Sequence, residues 1–345
     1  MRRLTRAERG ATAVTLAVLA VPLLGLGALV VDAGALYQER RELQNGADAA
    51  ALALARDCAA GACAAAGVTA AALADANAGD GAARVEQACG AGAAGLPACA
   101  QPPPPGLAGA GWARVATATR APGGLTRVTY RLAQLLTGEA GATVRAQATA
   151  AWGSAGSLVT TQLTISRCEY DAFVDPDGDG VPSFAGGPPF TATPRTVFFH
   201  TTADAGTCPA GPSGADLPGG FGWLESVACG ARIGAGNWVP DKTGNAVPAG
   251  CDPSAWRDKV ILLPVYDATN GLSGSKGSYH VAGFAAFHVA GYRFPSEKWP
   301  SNVTCRPGEP GSSTTCLIGH FTTWLTSADS FGGGAFGVTA VRLVA

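Results

Sequence analysis

The sequence predicts an α+β protein: a single N-terminal transmembrane helix that continues as an extracytoplasmic helix, then a mostly β, disulfide-braced domain. Three observations carry this expectation. Residues 11–31, ATAVTLAVLAVPLLGLGALVV, hold no charge over 21 positions. All ten cysteines lie beyond that run, the first at Cys58. From about residue 155, segments rich in β-branched and aromatic residues alternate with Gly, Pro, Asn and Asp turns.

The apolar run comes first. As a helix rising 1.5 Å per residue it covers about 30 Å, the thickness of a hydrocarbon core. Pro22 does not forbid it, because membrane helices tolerate proline. Arg2, Arg3, Arg6 and Arg9 precede the run, whereas only Arg40 and Arg41 follow at a similar distance. That asymmetry predicts a cytoplasmic N-terminus and roughly 310 residues on the far side. Ala33-Gly34-Ala35 has the small-x-small look of a signal cleavage site, but the apolar core exceeds the 7–15 residues of such signals. The reading is a retained anchor, with the lipid bilayer as a partner.

Beyond the run, Leu36, Leu43, Ala47, Ala50 and Leu54 recur at helical spacing and mark one face. Alanine favours helix and lets another backbone approach closely. Such a surface suits either a bundle of subunits or packing against the chain's own domain, and composition does not separate the two. Asn45-Gly46 is a turn-prone pair and predicts a bend in the rod.

Residues 9–55, RGATAVTLAVLAVPLLGLGALVVDAGALYQERRELQNGADAAALALA, resemble the N-terminal module of TadG-like proteins of the Flp (Tad) pilus-assembly system. The likeness is carried by Arg9-Gly10, Pro22 with the leucines after it, Val31-Asp32-x-Gly34, Leu43-Gln44 and the run Ala47-Asp48-Ala49-Ala50-Ala51-Leu52-Ala53. Residues 135–153 are similar to the strand that often closes the first extracytoplasmic section in TadE- and TadG-like proteins. The resemblance implies a non-enzymatic pilus-assembly component whose partners are other pilus-assembly or pilin-like membrane proteins. The chain departs from it at Thr15, where pilins and TadE-like proteins carry glutamate. Larger TadG proteins often end in a von Willebrand A-type domain with an Asp-x-Ser-x-Ser metal motif. Here Asp252-Pro253-Ser254-Ala255-Trp256 lacks the last serine, and that domain is not assigned.

The organisation predicted is a stub, span and helical extension over 1–56; an Ala/Gly/Pro-rich, cysteine-containing linker over 57–111; a β-hairpin section over 112–153; and a cysteine-containing β domain over 154–345. The polyproline stretch Pro102–Pro105 reads as a stiff spacer. Val115, Thr117 and Thr119, then Val128, Tyr130 and Leu132, flank a Pro-Gly-Gly turn and read as the hairpin. Later strands are expected at Val159–Ser166, Thr196–Thr201, Val260–Tyr266, Tyr279–Phe294, Leu317–Leu325 and Val338–Val344. Their spacing is that of a sandwich or irregular barrel, with 279–294 apolar on both faces and therefore central.

Cys58, Cys63, Cys89, Cys99, Cys168, Cys208, Cys229, Cys251, Cys305 and Cys316 include no Cys-x-x-Cys and no Cys/His group at zinc spacing. An even set placed wholly beyond the span predicts disulfides in an oxidising compartment, although spacing leaves the connectivity open.

A net charge of −1 and the lack of a basic stripe exclude a nucleic-acid binder. Asp175, Asp177 and Asp179, followed by Gly180, match the first half of a calcium loop; loop position 12 is Gly186 instead of glutamate, with Glu169 and Asp171 available upstream. Calcium is thus the cofactor to weigh, against an acidic turn that binds nothing. His280 and His288 would stand roughly 26 Å apart on one strand, too far to share a metal or a proton. His200 and His320 could meet in space. No Gly-x-Ser-x-Gly, His-Glu-x-x-His or P-loop string occurs. The alternatives to pilus assembly are a membrane-tethered, calcium-dependent adhesin or binding protein and an anchored hydrolase.

Overall fold

The computed structural model describes residues 6–107, 109–121, 123–199, 208, 222–225, 229–242, 244, 246–272, 276–306 and 315–344. They form two compact units. The first holds the N-terminal 105 residues, Gly111–Ala151 and the last three residues; the second holds Gly106–Ala110 and Trp152–Arg342.

In the first unit, α1 (Arg6–Ala59) is one unbroken 54-residue helix. It is followed by α2 (Ala66–Asn77), β1 (Ala83–Ala91), β2 (Gly111–Thr119), β3 (Val128–Thr129), α3 (Gln134–Thr137), β4 (Gly141–Ala142) and the start of β5 (Arg145–Thr161). β2 lies between β1 and β5, and β3 pairs with β4. The alanine-rich face of α1 is the buried one: Leu43, Ala47, Ala50, Ala51, Leu54 and Ala55 are at most 2 % exposed. That face packs on α2 and β2, which decides between the two uses of a small-sided helix in favour of the chain's own unit. The helix is not interrupted at Asn45-Gly46. Gly46 stands where α1 passes α2, and a Cβ added there would come 3.1 Å from the Ala74 Cα. Glycine is used here for close approach, so its cost in helix propensity is offset by the backbone contact it permits.

The segment 57–111 is not a linker, since it supplies α2 and β1. The polyproline stretch is tied down as well. Buried Arg114 donates to the Pro102 carbonyl at 3.0 Å and to Gln101 Oε1 and Thr149 Oγ1 at 3.3 Å. The expected hairpin about Pro-Gly-Gly is replaced by a different pairing: β2 runs antiparallel to β1, and only Val128–Thr129 of the second arm is strand.

The second unit takes the rest of β5, then β6 (Ile165–Ser166), α4 (Arg167–Val174), β7 (Arg195–Phe199), β8 (Gly230–Gly234), β9 (Trp238–Pro240), β10 (Val260–Thr269), β11 (Ser278–Arg293), β12 (Lys298–Trp299), β13 (Thr315–Thr322), β14 (Trp324–Thr326), β15 (Ser330–Phe331) and β16 (Val338–Val344). One sheet runs β6-β10-β11-β13-β7, with β9 and β12 also on β11. β8 and β15 pair with the later part of β5, and β14 lies parallel to β16. β11 is the central strand its two-faced apolarity predicts. Phe284 and Phe287 of β11 share one core with Leu158 of β5 and Ile233 of β8, so the core lies between two layers, as in a sandwich. Tyr170, Phe173, Phe287, Phe321 and Phe336 form its edge-to-face centre. Thr201, the end of one expected strand, lies outside the described residues.

All ten cysteines are paired: Cys58–Cys63, Cys89–Cys99, Cys168–Cys208, Cys229–Cys251 and Cys305–Cys316. Each bond joins two cysteines consecutive in the sequence, a pattern that spacing alone left undecided.

Candidate functional site

The first candidate is α1 itself. Its N-terminal half is long and apolar enough to cross a membrane. Val14, Leu16, Val18, Leu19, Leu23, Leu24, Leu26 and Val30 are all more than half exposed there. A contiguous apolar surface of this kind is stable only under lipid or another apolar body.

Asp32 ends the run. Its carboxylate accepts the backbone N–H groups of three successive residues, Arg131 at 2.8 Å, Leu132 at 3.0 Å and Ala133. About three turns further on, polar groups again hold the helix to the unit. Glu42 accepts from the Gly79 N–H at 2.7 Å and from Gln38, and the Leu43 carbonyl accepts from Thr117 Oγ1 at 3.0 Å. Gln44 donates to Asp48 at 2.8 Å and to the Gln147 carbonyl at 3.2 Å. Beyond the span, Glu42, the Leu43 carbonyl and Gln44 thus form a docking strip on α1. Sequence reasoning missed the role of Asp32. Its signal was an isolated carboxylate directly after an uncharged run, a position where a charge needs fixed partners.

The second candidate is the acidic loop. A helix precedes it: α4, capped by Ser166 Oγ accepting from the Glu169 N–H, ends at Val174, with Asp175 as its C-cap. Asp175 accepts from the N–H groups of Asp179 at 3.0 Å and Gly180 at 2.9 Å, and Asp179 accepts from Val181 at 2.8 Å. Gly178 and Gly180 take φ of 71° and 80°, conformations that suit glycine. One carboxylate oxygen each from Asp175, Asp177 and Asp179 falls within 4.8 Å of the others. Three converging hard oxygens are donors of the type calcium takes, out of the six to eight it requires. Asp171, on α4, pairs with Arg167 at 3.4 Å.

His280 and His288 lie on the one strand β11, and each has its own partners. His280 bonds Asp267 at 2.6 Å. His288 and His320 face each other across β11 and β13, their rings stacked at 5.1 Å, and Phe190 lies 4.0 Å over His288. His288 Nε2 meets Asp258 Oδ1 at 3.0 Å. Burial, followed by the neighbouring His288, holds the His320 imidazole below its ordinary pKa. Both rings are 6 % exposed, so this is a packed element of the sheet and not an open cleft. His200 lies outside the described residues. The pairing was hidden from sequence because it depends on strand register.

With this geometry in place, comparison with known proteins adds one finding: residues 10–57 match the family model described as putative Flp pilus-assembly TadE/G-like. The match covers the span and the docking strip of α1 and ends one residue before Cys58. No curated protein and no solved structure matches the chain.

Proposed function

We propose that the chain is a non-enzymatic, single-pass component of Flp-type pilus assembly or a related surface appendage. Its extracytoplasmic part would engage other subunits of that apparatus. The observation that carries the reading is the family match over residues 10–57, which coincides with a helix able to cross a bilayer. Two features support the orientation. Arginines cluster before the apolar run, which favours a cytoplasmic N-terminus. All ten cysteines are disulfide-bonded beyond it, which suits an oxidising compartment. The exposed leucines and valines of the span offer apolar contacts to other membrane subunits, while the alanine face is already used within the first unit. Deleting the gene and imaging the cells tests the reading. Loss of pili, restored by the full chain, is expected; normal pilus number and length in the deletion strain would refute it.

A further inference from the structure

The contact between Asp32 and residues 131–133 has a consequence for where that loop sits. Asp32 is the first residue past the uncharged run, so three successive N–H groups of the loop are fixed at the level where α1 leaves the hydrocarbon. The protein reaches one turn deeper still. Ala28 lies inside the apolar run yet is only 8 % exposed, whereas its neighbours Leu29 and Val30 are 46 % and 71 % exposed. Folded chain therefore covers one side of the helix within the span.

The loop is built for that depth. Backbone groups near lipid must find partners within the protein, because no water is there to supply them. Besides the three bonds to Asp32, the Tyr130 N–H bonds the Ala140 carbonyl, Leu135 bonds Leu132, Thr137 bonds Ala133 and Gly138 bonds Gln134. Its side chains have the composition of an interfacial segment: Leu135 is 86 % exposed and Leu132 42 %, with Tyr130 beside them and exposed Arg127, Arg131 and Glu139 around them. Two exposed leucines on one short turn are costly in water and favourable at the acyl–headgroup boundary.

We infer that residues 130–138 form a second membrane contact, a foot held against α1 by Asp32 that inserts Leu132 and Leu135 into the bilayer interface beside the span. The occupant of this surface is lipid, by continuity with the exposed apolar face of α1. Arg127 and Arg131 would sit at phosphate level. This inference rests on the anchor reading. With both contacts in place, the first unit stands at a fixed height over the membrane instead of swinging on a single helix.

Tryptophan quenching in the full-length protein tests it. Leu135→Trp, Leu24→Trp and Val68→Trp each add a ring at a position that is exposed in the fold, so none should disturb folding. The variants are reconstituted in phosphatidylcholine–phosphatidylglycerol vesicles, with or without bromine near the top of the acyl chain, and the wild-type signal is subtracted. The added emission of Leu24→Trp and Leu135→Trp should fall about twofold or more, and that of Val68→Trp, on α2, should stay unchanged. Quenching at residue 24 with none at residue 135 would overturn the foot while leaving the anchor intact. Quenching at neither would overturn both. Quenching at residue 68 as strongly as at residue 135 would refute a discrete foot, because the whole unit would then lie in lipid.

Discussion

In the first unit α1 is gripped through small residues: Gly46 over Ala74, and a row of alanines on α1 against α2 and β2. In the second unit the core is filled by large rings, although strands also come close at glycines such as Gly319 over the His288 carbonyl. Phe287, Phe321, Tyr170 and Phe336 meet edge to face, and Trp223 packs beside Trp256 and Phe294. The contrast follows from what each unit must organise. A helix that is already 54 residues long needs only a smooth face to be gripped along its length, and small side chains let sheet and helix backbones come near. The strands of the second unit come from distant parts of the chain, so buried rings hold them together. The α1 contact of the first unit depends on small side chains and the core of the second on buried aromatic area, while disulfides brace both.

This contrast can be broken from either side. The largest effect is expected from Phe287→Ala, which removes a fully buried ring from the aromatic centre and should cost the second unit about 3–5 kcal/mol in urea denaturation. Next is the double change of Cys168 and Cys208 to serine. It opens a loop of 40 residues and should cost about 2–4 kcal/mol by the same measurement, with the first unit's transition unmoved. In the first unit, Gly46→Leu should cost about 1–3 kcal/mol, because overpacking there forces α1 and α2 apart. Faster proteolysis of the segment after Ala59 would report that separation. A Gly46→Leu protein as stable as wild type would remove the dependence on small side chains from the account.

The smallest effect is pH-linked. Because burial and His288 hold His320 below its ordinary value, the unfolded chain takes up a proton first as pH falls below about 6.5. The contribution of this group is complete above that pH and is lost on going down toward the folded pKa, with a slope of at most about 1.4 kcal/mol per pH unit. Urea midpoints of the second unit should therefore drop between neutral and mildly acid pH, and His320→Phe should flatten the drop.

How much of this was legible in the sequence follows from the range of the interactions. The span, the face Leu43-Ala47-Ala50-Leu54 and the two-faced strand 279–294 are local patterns of period 3.6 or 2, and each became the element it predicts. The cysteine set announced disulfides, yet the pairing of Cys168 with Cys208 across 40 residues needed the fold. Gly46 was misread because a helix-breaking propensity of about 1 kcal/mol is easily outweighed by packing against α2. Residues 57–111 were misread as linker because alanine and glycine give α2 and β1 little periodic contrast. The Asp32 contact and the His288–His320 stack join residues about 100 and 32 positions apart, which no local pattern encodes.

The central claim is that α1 spans the bilayer once and leaves both units on the side away from the cytosol. Protease added to intact spheroplasts measures this directly, with the protein followed by antibodies to its N-terminal peptide and to the second unit. Digestion of the second unit before lysis, with a small membrane-bound N-terminal fragment surviving carbonate extraction, is the predicted result. Protection of the second unit until the cells are lysed, or its release intact into the soluble fraction, would contradict it.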